Sequence, residues 1–257
     1  SEKAGSSGRA ERRNAPVEKD AVCGGRTAGS TGVERKYTVC VIRKQEETGA
    51  SQRTKIKICG LSRPEDIEAV NEVKPDYAGF VVEVPKSRRN VSVQQLRRLT
   101  ALLDHGIVSV GVFVNAPVEL IVGLLQDGVL AMAQLHGQED ASYVEAVKEQ
   151  TGRPVVQAFS IRTQEDVQRA FASPADYILL DQGGGGTGRT FDWSLLERSK
   201  AAENKTPFFL AGGLGVDNLE EAIRTTRPFA VDLSSSLETD GRKDAGKIRE
   251  AVRIVRA

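Results

Sequence analysis

A chain of 257 residues with 39% hydrophobic and 28% charged side chains can bury a substantial core, in one large domain or two small ones. Its net charge of +1 gives no general attraction for nucleic acid or an anionic membrane, so the expected partner is a small molecule. The three cysteines do not suit a disulfide framework, and no stretch has the roughly 20 apolar residues of a membrane span or the apolar segment of a signal peptide. The expectation is a soluble cytoplasmic protein.

Residues 1–53 are expected to form a disordered N-terminal extension. They are rich in Gly, Ser, Arg, Lys and Glu and show little sustained apolar periodicity. One run, 37–42, contains β-branched residues that could form a lone strand or a docking segment.

From residue 54 onward, short β-branched runs alternate with longer helical patterns, which predicts repeated βα units and a parallel sheet. Pro64 precedes acidic residues at one helix start, and apolar residues recur at three- and four-residue spacing from Val93 to Leu103. Eight such units favour a closed (βα)8 TIM barrel over residues 54–257, the alternative being an open doubly wound sheet. The predicted strands are 54–60, 77–83, 107–115, 130–136, 154–160, 177–182, 207–212 and 229–235.

The first predicted strand ends near Cys59. A strand period of two places Lys55, Lys57 and Cys59 on one face and Ile56 and Ile58 on the other. Lys57 would then project into the barrel beside Cys59, where a cation would lower the thiol pKa and increase the thiolate fraction. The alternative is an inert buried cysteine, because free cysteines commonly pack as small hydrophobes.

Polar segments also follow the second and fourth predicted strands. Arg88 and Arg89 lie in a basic loop that could bind a planar carboxylate through two parallel hydrogen bonds or could simply be solvated. His136 ends the fourth strand and could contact a ligand or stabilise a loop. The other histidine, His105, is expected at a helix end. No His, Cys and carboxylate cluster has metal-ligand spacing, so no metal is expected.

Asp181 ends the sixth predicted strand, and the carboxyl ends of parallel strands converge on one face of a barrel. Asp181 and Cys59 could therefore exchange protons over one substrate. The glycine-rich segment 183–188 follows Asp181 and predicts either an active-site loop or a connector.

Small residues follow the last two predicted strands, where such barrels often bind phosphate through backbone N–H groups. Read singly, these sequences are more often ordinary turns. The candidate phosphate-binding residues are Gly212, Gly213, Ser234, Ser235 and Ser236.

Taken together, six segments resemble the phosphoribosylanthranilate isomerase family, and the resemblance covers residues 54–257. It implies a barrel enzyme of tryptophan biosynthesis that converts N-(5-phosphoribosyl)anthranilate to 1-(2-carboxyphenylamino)-1-deoxyribulose 5-phosphate by an Amadori rearrangement, an aldose–ketose isomerisation classed with the intramolecular oxidoreductases. The segments are 57–60, 87–89, 134–137, 180–181 with 185–188, 191–193 and 211–214.

The resemblance also implies roles for individual residues. Cys59 would be the general base, Asp181 the general acid and Arg89 the group that binds the anthranilate carboxylate, while the two late loops would bind the phosphate. No cofactor or metal would be required. The expected assembly is a monomer or a homodimer.

One position departs from the family pattern: Ser236 stands where the family usually has glycine. If this position needed a positive φ, the serine would cost about 1 kcal/mol and raise KM. Two other functions are weighed against the isomerase. A related phosphosugar barrel, such as indole-glycerol-phosphate synthase or a ribulose-phosphate epimerase, would need a different catalytic set, and a non-catalytic phosphoribosyl-ligand binding protein would not need Cys59 and Asp181.

Overall fold

The structure, a computed structural model, describes residues 53–182, 190–198 and 206–257. The segment 37–42, the cysteines Cys23 and Cys40, and the glycine-rich loop 183–188 all lie outside the described residues.

Eight parallel strands form a closed barrel. Each strand pairs with the next along the chain, and β1 pairs with both β2 and β8, which closes the sheet. The predicted closed barrel is therefore confirmed and the open sheet is excluded. The strands are β1 (Lys55–Cys59), β2 (Tyr77–Val82), β3 (Val108–Phe113), β4 (Met132–Leu135), β5 (Val155–Ser160), β6 (Tyr177–Asp181), β7 (Phe208–Leu210) and β8 (Ala230–Leu233).

A helix follows each strand. Pro64 is the first residue of α1. The Asp66 carboxylate in the same turn accepts hydrogen bonds from the backbone N–H groups of Ser62 and Arg63. Leu96 and Leu99 of α2 are buried, as their spacing predicts. The helices are α1 (Pro64–Val73), α2 (Val93–Leu102), α3 (Val118–Gln126), α4 (Ala141–Thr151), α5 (Gln164–Phe171), α6 (Ser194–Arg198), α7 (Leu219–Thr226) and α8 (Ala245–Arg256).

Within the part of the chain that the structure describes, three short elements lie outside the βα repeat. A two-residue strand, Asn90–Val91, pairs with β2. A 3-10 turn, Ser235–Leu237, follows β8 and leads into a small antiparallel hairpin formed by Glu238–Thr239 and Arg242–Lys243. We call this the β8–α8 hairpin, because it connects these two elements and adds charged side chains next to the barrel mouth.

Aromatic rings fill the N-terminal end of the barrel. Tyr77 and Phe209 pack edge to face with ring centroids 5.3 Å apart, and Tyr177 lies 4.9 Å from Phe229. The Lys55 ammonium lies 4.7 Å from the centroid of the Phe229 ring. This end of the barrel interior is therefore filled mainly by aromatic side chains.

The side chains of β1 alternate between the two sides of the sheet, as predicted. Ile56 and Ile58 are fully buried in the cluster between the sheet and the helices, whereas Lys57 and Cys59 are buried inside the barrel. Among the described residues, no helix has the length and apolar character needed to cross a bilayer.

Candidate active site

The sequence-predicted chemical groups lie at the C-terminal face of the barrel. Cys59 is the last residue of β1, Asp181 is the last residue of β6, and His136 comes directly after β4. The loops after β7 and β8 lie on the same face because all eight strands are parallel. The geometry therefore brings the predicted residues to one end of one barrel.

The Cys59 thiol lies against β2. A Cβ at Gly79 would come within 2.8 Å of Cys59 Sγ, so this strand position has room for the thiol only because it is glycine. Cys59 is 8% exposed, and its carbonyl accepts a 3.1 Å hydrogen bond from the Ser234 hydroxyl. The thiol consequently packs against β2, while the loop after β8 holds the Cys59 backbone.

Lys57 forms a buried ion pair beneath the thiol. Its Nζ lies 2.8 Å from Asp232 Oδ2, and the two side chains are 1% and 8% exposed. The register explains this contact, because Lys57 and Asp232 are partners on neighbouring strands β1 and β8. Asp232 Oδ1 is buried and has no hydrogen-bond partner among the described residues.

Burial raises the pKa of the Cys59 thiol. The Lys57 ammonium opposes this effect, while the Asp232 carboxylate adds to it. Lys57 therefore acts on the thiol in the predicted direction, but burial outweighs the cation and Asp232 offsets part of its charge, so the net pKa lies above the ordinary value. In the unliganded protein, burial therefore favours the neutral thiol over the thiolate.

Burial and the partner's charge act in opposite directions on each member of the ion pair. Burial disfavours the Lys57 ammonium, but the Asp232 carboxylate and the Cys59 thiol outweigh it and raise the pKa of Lys57. Burial also raises the pKa of Asp232, against the opposing effect of Lys57. Lys57 thus remains a cation positioned to stabilise a thiolate once one forms.

Asp181 packs against the loop after β7. A Cβ at Gly212 would come within 2.5 Å of Asp181 Oδ1 and within 2.7 Å of the Gln182 nitrogen. Gly212 and Gly213 have φ values of +82° and +66°, in the left-handed region that favours glycine. These two glycines therefore let the loop approach the carboxylate closely.

The loops after β7 and β8 are neighbours, as a shared phosphate site requires. A Cβ at Gly215 would lie 3.4 Å from the Ser236 Cβ. Asn218 stabilises the loop after β7 through two hydrogen bonds. Its Oδ1 accepts one from the Gly215 N–H at 2.9 Å, and its Nδ2 donates the other to the Gly213 carbonyl at 3.0 Å. Ser235 and Ser236 are exposed beside it.

Ser236 lies in the 3-10 turn and is not among the described residues with positive φ. The backbone cost considered for a serine at this position therefore does not arise. The hydroxyl of Ser234 is used within the protein, in its bond to the Cys59 carbonyl.

Arg89 contacts a carboxylate of the protein itself. Its Nε and Nη2 donate to Oε1 and Oε2 of Glu238 at 2.6 and 3.0 Å. Gly60 makes space for this side chain, because a Cβ at Gly60 would lie 2.3 Å from Arg89 Cδ. The loop is therefore ordered by specific contacts, and the alternative of a merely solvated loop does not describe Arg89.

His136 is exposed at the barrel mouth, and its Nδ1 lies 3.0 Å from Nε2 of the buried Gln134. The surrounding protein desolvates the imidazole and lowers its pKa, while the Asp181 carboxylate acts in the opposite direction. A neutral imidazole can orient a ligand by hydrogen bonding without adding charge. His105 is exposed in the turn after α2, as expected.

Sequence reasoning missed three charged residues of this face: Asp232, Glu238 and Lys243. Asp232 carried the clearest signal, since it is a lone acidic residue in an otherwise apolar strand. The described residues contain no cluster of three or more His, Cys, Asp or Glu side chains that could hold a metal ion.

The chain is similar to proteins of one enzyme family. The family model described as N-(5'phosphoribosyl)anthranilate (PRA) isomerase matches residues 56–253. N-(5'-phosphoribosyl)anthranilate isomerase from Endomicrobium trichonymphae is 47% identical over 207 residues, which cover 79% of this chain and 98% of that protein.

Two solved structures agree with this similarity. Phosphoribosyl anthranilate isomerase from Thermotoga maritima superposes with a TM-score of 0.70 and 35% identity, over 79% of this chain and 98% of that one. A phosphoribosyl anthranilate isomerase in complex with reduced 1-(o-carboxyphenylamino)-1-deoxyribulose 5-phosphate has a TM-score of 0.69 and 33% identity, with the same coverage of 79% and 98%.

Proposed function

The chain belongs to the N-(5'-phosphoribosyl)anthranilate isomerase family and is an isomerase of tryptophan biosynthesis; we propose that it works by general acid–base catalysis at the C-terminal face of the barrel. The resemblance carried by the six sequence segments is confirmed by these relatives. The reaction is an intramolecular redox change, in which C1′ of the ribose is reduced and C2′ is oxidised. Its atoms and electrons balance within the substrate.

The first step opens the ribose ring. Asp181, as the general acid, donates a proton to the ring oxygen while the bond from C1′ to that oxygen breaks. The lone pair of the anthranilate nitrogen forms the C1′=N bond, which yields a protonated Schiff base. The position of Asp181 at the end of β6, against the Gly212 loop, supports this role.

The second step removes the proton from C2′. The Cys59 thiolate takes this proton, and the electron pair of the C–H bond forms C1′=C2′ while the C1′=N electrons return to nitrogen. The resulting enolamine tautomerises to the ketone. The cationic Schiff base favours ionisation of the nearby thiol, and Lys57 stabilises the thiolate by the same electrostatic principle.

The remaining predicted residues bind the substrate in this proposal. Arg89 binds the aryl carboxylate through two parallel hydrogen bonds, and His136 orients the ribose as a neutral hydrogen-bonding group. The phosphate is bound by the adjoining loops after β7 and β8, which contain Gly212, Gly213, Ser234, Ser235 and Ser236.

The observation that carries the mechanism is the placement of Cys59 above a buried cation, Lys57, on the barrel face that also holds Asp181. We would follow the loss of freshly generated N-(5-phosphoribosyl)anthranilate with wild type, Cys59→Ala and Asp181→Asn. Removal of a general acid or base typically costs about 100-fold or more in rate, so turnover should fall at least that far in both variants.

A matched control is Asp127→Asn, which removes an exposed ion pair with Arg97 at 2.6 Å. This variant should keep wild-type turnover and thermal stability. Undiminished turnover in Cys59→Ala or Asp181→Asn, with all proteins folded, would refute the assigned roles.

A further inference from the structure

A single carboxylate on the β8–α8 hairpin binds three cations. Glu238 accepts both hydrogen bonds from Arg89, a 2.5 Å bond from Arg88 Nη2 and a 3.0 Å bond from Lys243 Nζ. The Glu238 and Lys243 side chains are 4% and 2% exposed, whereas Arg89 is 22% and Arg88 58% exposed, so the carboxylate and the ammonium are shielded and the two guanidinium groups reach solvent. Lys243 also donates to the Ser234 carbonyl at 2.9 Å, which links the hairpin to the loop after β8.

The bonds to Glu238 orient the Arg89 guanidinium. A guanidinium has five N–H donors in a planar fork, and Glu238 engages the edge formed by Nε and Nη2. Among the described residues, no hydrogen bond uses the edge formed by Nη1 and the second N–H of Nη2, and this edge has the geometry to bind another planar carboxylate. Glu238 can thus hold Arg89 in place without occupying the edge that a substrate would need.

The charge balance of the network depends on Lys243. Burial disfavours ionisation of Glu238, but its hydrogen bonds from Arg89 and Lys243 prevail and lower the pKa of this carboxyl. An ionised Glu238 would repel a second carboxylate bound to the other edge of Arg89. Burial lowers the pKa of Lys243, and the Glu238 carboxylate opposes that effect. Arg88 and Arg89 alone outnumber the single carboxylate, so the cluster keeps a net positive charge.

We propose that Glu238 and Lys243 are positioning residues that hold Arg89 ready for the aryl carboxylate of the substrate, and that they thereby set the preference for a carboxylated ring. This inference rests on the proposed role of Arg89. According to this inference, the hairpin contributes to substrate specificity, whereas Cys59 and Asp181 contribute to the chemical steps.

The test compares two ligands that differ only in the carboxyl group. The first is reduced 1-(o-carboxyphenylamino)-1-deoxyribulose 5-phosphate, and the second is the same compound without the ring carboxyl. Calorimetry would measure the Kd of each ligand for wild type, Glu238→Gln and Lys243→Met. Loss of either Glu238 or Lys243 should raise the Kd of the carboxylated ligand by about tenfold or more. The Kd of the ligand without the carboxyl group should change by less than about twofold.

Two further variants sharpen the comparison. Lys243→Arg keeps the cation and should restore most of the preference for the carboxylated ligand. Glu72→Gln removes an exposed carboxylate that accepts from Arg249 at 3.1 Å, on the outside of the barrel, and should change neither Kd. Thermal melts would establish that each variant is folded.

The outcomes separate this inference from the proposed function. Equal weakening of both ligands would mean that Glu238 and Lys243 only stabilise the hairpin, which would overturn the inference. An unchanged preference in folded Glu238→Gln and Lys243→Met would also overturn it and leave the role of Arg89 intact. A wild type that binds neither ligand would instead refute the proposed substrate site.

Discussion

The Cys59 thiol lies close to the Lys57 ammonium and the Asp232 carboxylate. Its pKa depends on the balance between these two charges and the effect of burial. Burial disfavours the thiolate, Lys57 favours it and Asp232 disfavours it more weakly than Lys57 favours it. The thiolate fraction therefore rises with pH through a pKa above the ordinary thiol value. Catalysis must supply additional positive charge, and the cationic Schiff base is the substrate group that can do so.

Replacing Lys57 with Met together with Asp232 with Asn should raise the Cys59 pKa further. The double change removes Lys57, which lowers the Cys59 pKa, and Asp232, which raises it by less. Because both partners of the ion pair are replaced, no unpaired buried charge is left to destabilise the fold. The pH dependence of iodoacetamide alkylation, measured with Cys23→Ser and Cys40→Ser in every protein, should shift to higher pH. Turnover at pH 7 should fall with the thiolate fraction. A midpoint that moves to lower pH would contradict the electrostatic account.

Gly60 is a second residue with a testable role, because its absent side chain makes room for Arg89. It has a φ of +81°, and a Cβ would lie 2.3 Å from Arg89 Cδ. Gly60→Ala should therefore cost about 1–2 kcal/mol of stability through backbone strain. It should also raise KM by displacing Arg89. Urea denaturation and steady-state kinetics would measure the two effects.

Gly152 supplies the matched control for this change. It has a φ of +62° in the C-cap of α4, and its Cβ would meet nothing within 4 Å. Gly152→Ala should therefore lose a similar stability, about 1 kcal/mol, and keep the wild-type KM. If the two alanines raised KM equally, contact with Arg89 would not be the cause.

At the level of elements, the loop after β7 depends on one asparagine. Asn218 bonds to the Gly215 N–H and the Gly213 carbonyl, which holds the loop beside the Ser235–Leu237 turn. Asn218→Ala should weaken inhibition by inorganic phosphate about fivefold, on the basis of about 1 kcal/mol for a lost hydrogen bond. The measurement is the inhibition constant for phosphate against the substrate.

Asn71 makes an equivalent bridge outside the site. Its Nδ2 donates to the Leu102 carbonyl and its Oδ1 accepts from the Asp104 N–H, both at 2.8 Å. Asn71→Ala should lower thermal stability and leave phosphate inhibition unchanged. A phosphate constant that shifts equally in both variants would show that the Asn218 loop is not part of the phosphate site.

The elements differ in how far sequence could predict them. Alternating β-branched runs and helical spacing predict all eight strands, because each pattern is local and is repeated along the chain. The β8–α8 hairpin was missed because its strands have two residues each, too short for any periodicity. The raised thiol pKa was also beyond local reasoning, since it depends on burial and on Asp232, a neighbour of Lys57 only across the β1–β8 pairing.

At the scale of the whole molecule, one end of the barrel is packed with aromatic rings and the other holds the charged groups. Tyr77, Phe209 and Phe229 lie within 6.4 Å of one another by ring centroids, so aromatic packing dominates that end. The barrel interior is therefore divided into a stabilising half and a catalytic half. This division explains why β1 contributes Lys55 to the aromatic end and Cys59 to the site.

The same division gives a prediction for the N-terminal boundary of the catalytic domain, which we propose to be residues 54–257. The relatives are covered over 98% of their length by 79% of this chain, and the family match begins at residue 56. A chain beginning at Arg53 should keep wild-type kcat/KM and thermal stability. It retains β1 and the ion pair from Arg53 Nη2 to Asp76 Oδ1 at 2.7 Å.

Two shorter chains test whether the domain tolerates further truncation at this boundary. A chain beginning at Thr54 loses only the partly exposed pair with Asp76, so its unfolding free energy should fall by less than about 1 kcal/mol. A chain beginning at Ile58 loses Lys57 and most of β1, which opens the barrel and leaves Asp232 unpaired, so it should not fold. Thermal melts and substrate turnover distinguish the three chains. Loss of turnover in the chain that begins at Arg53 would place a functional role in residues 1–52 and would contradict the proposed boundary.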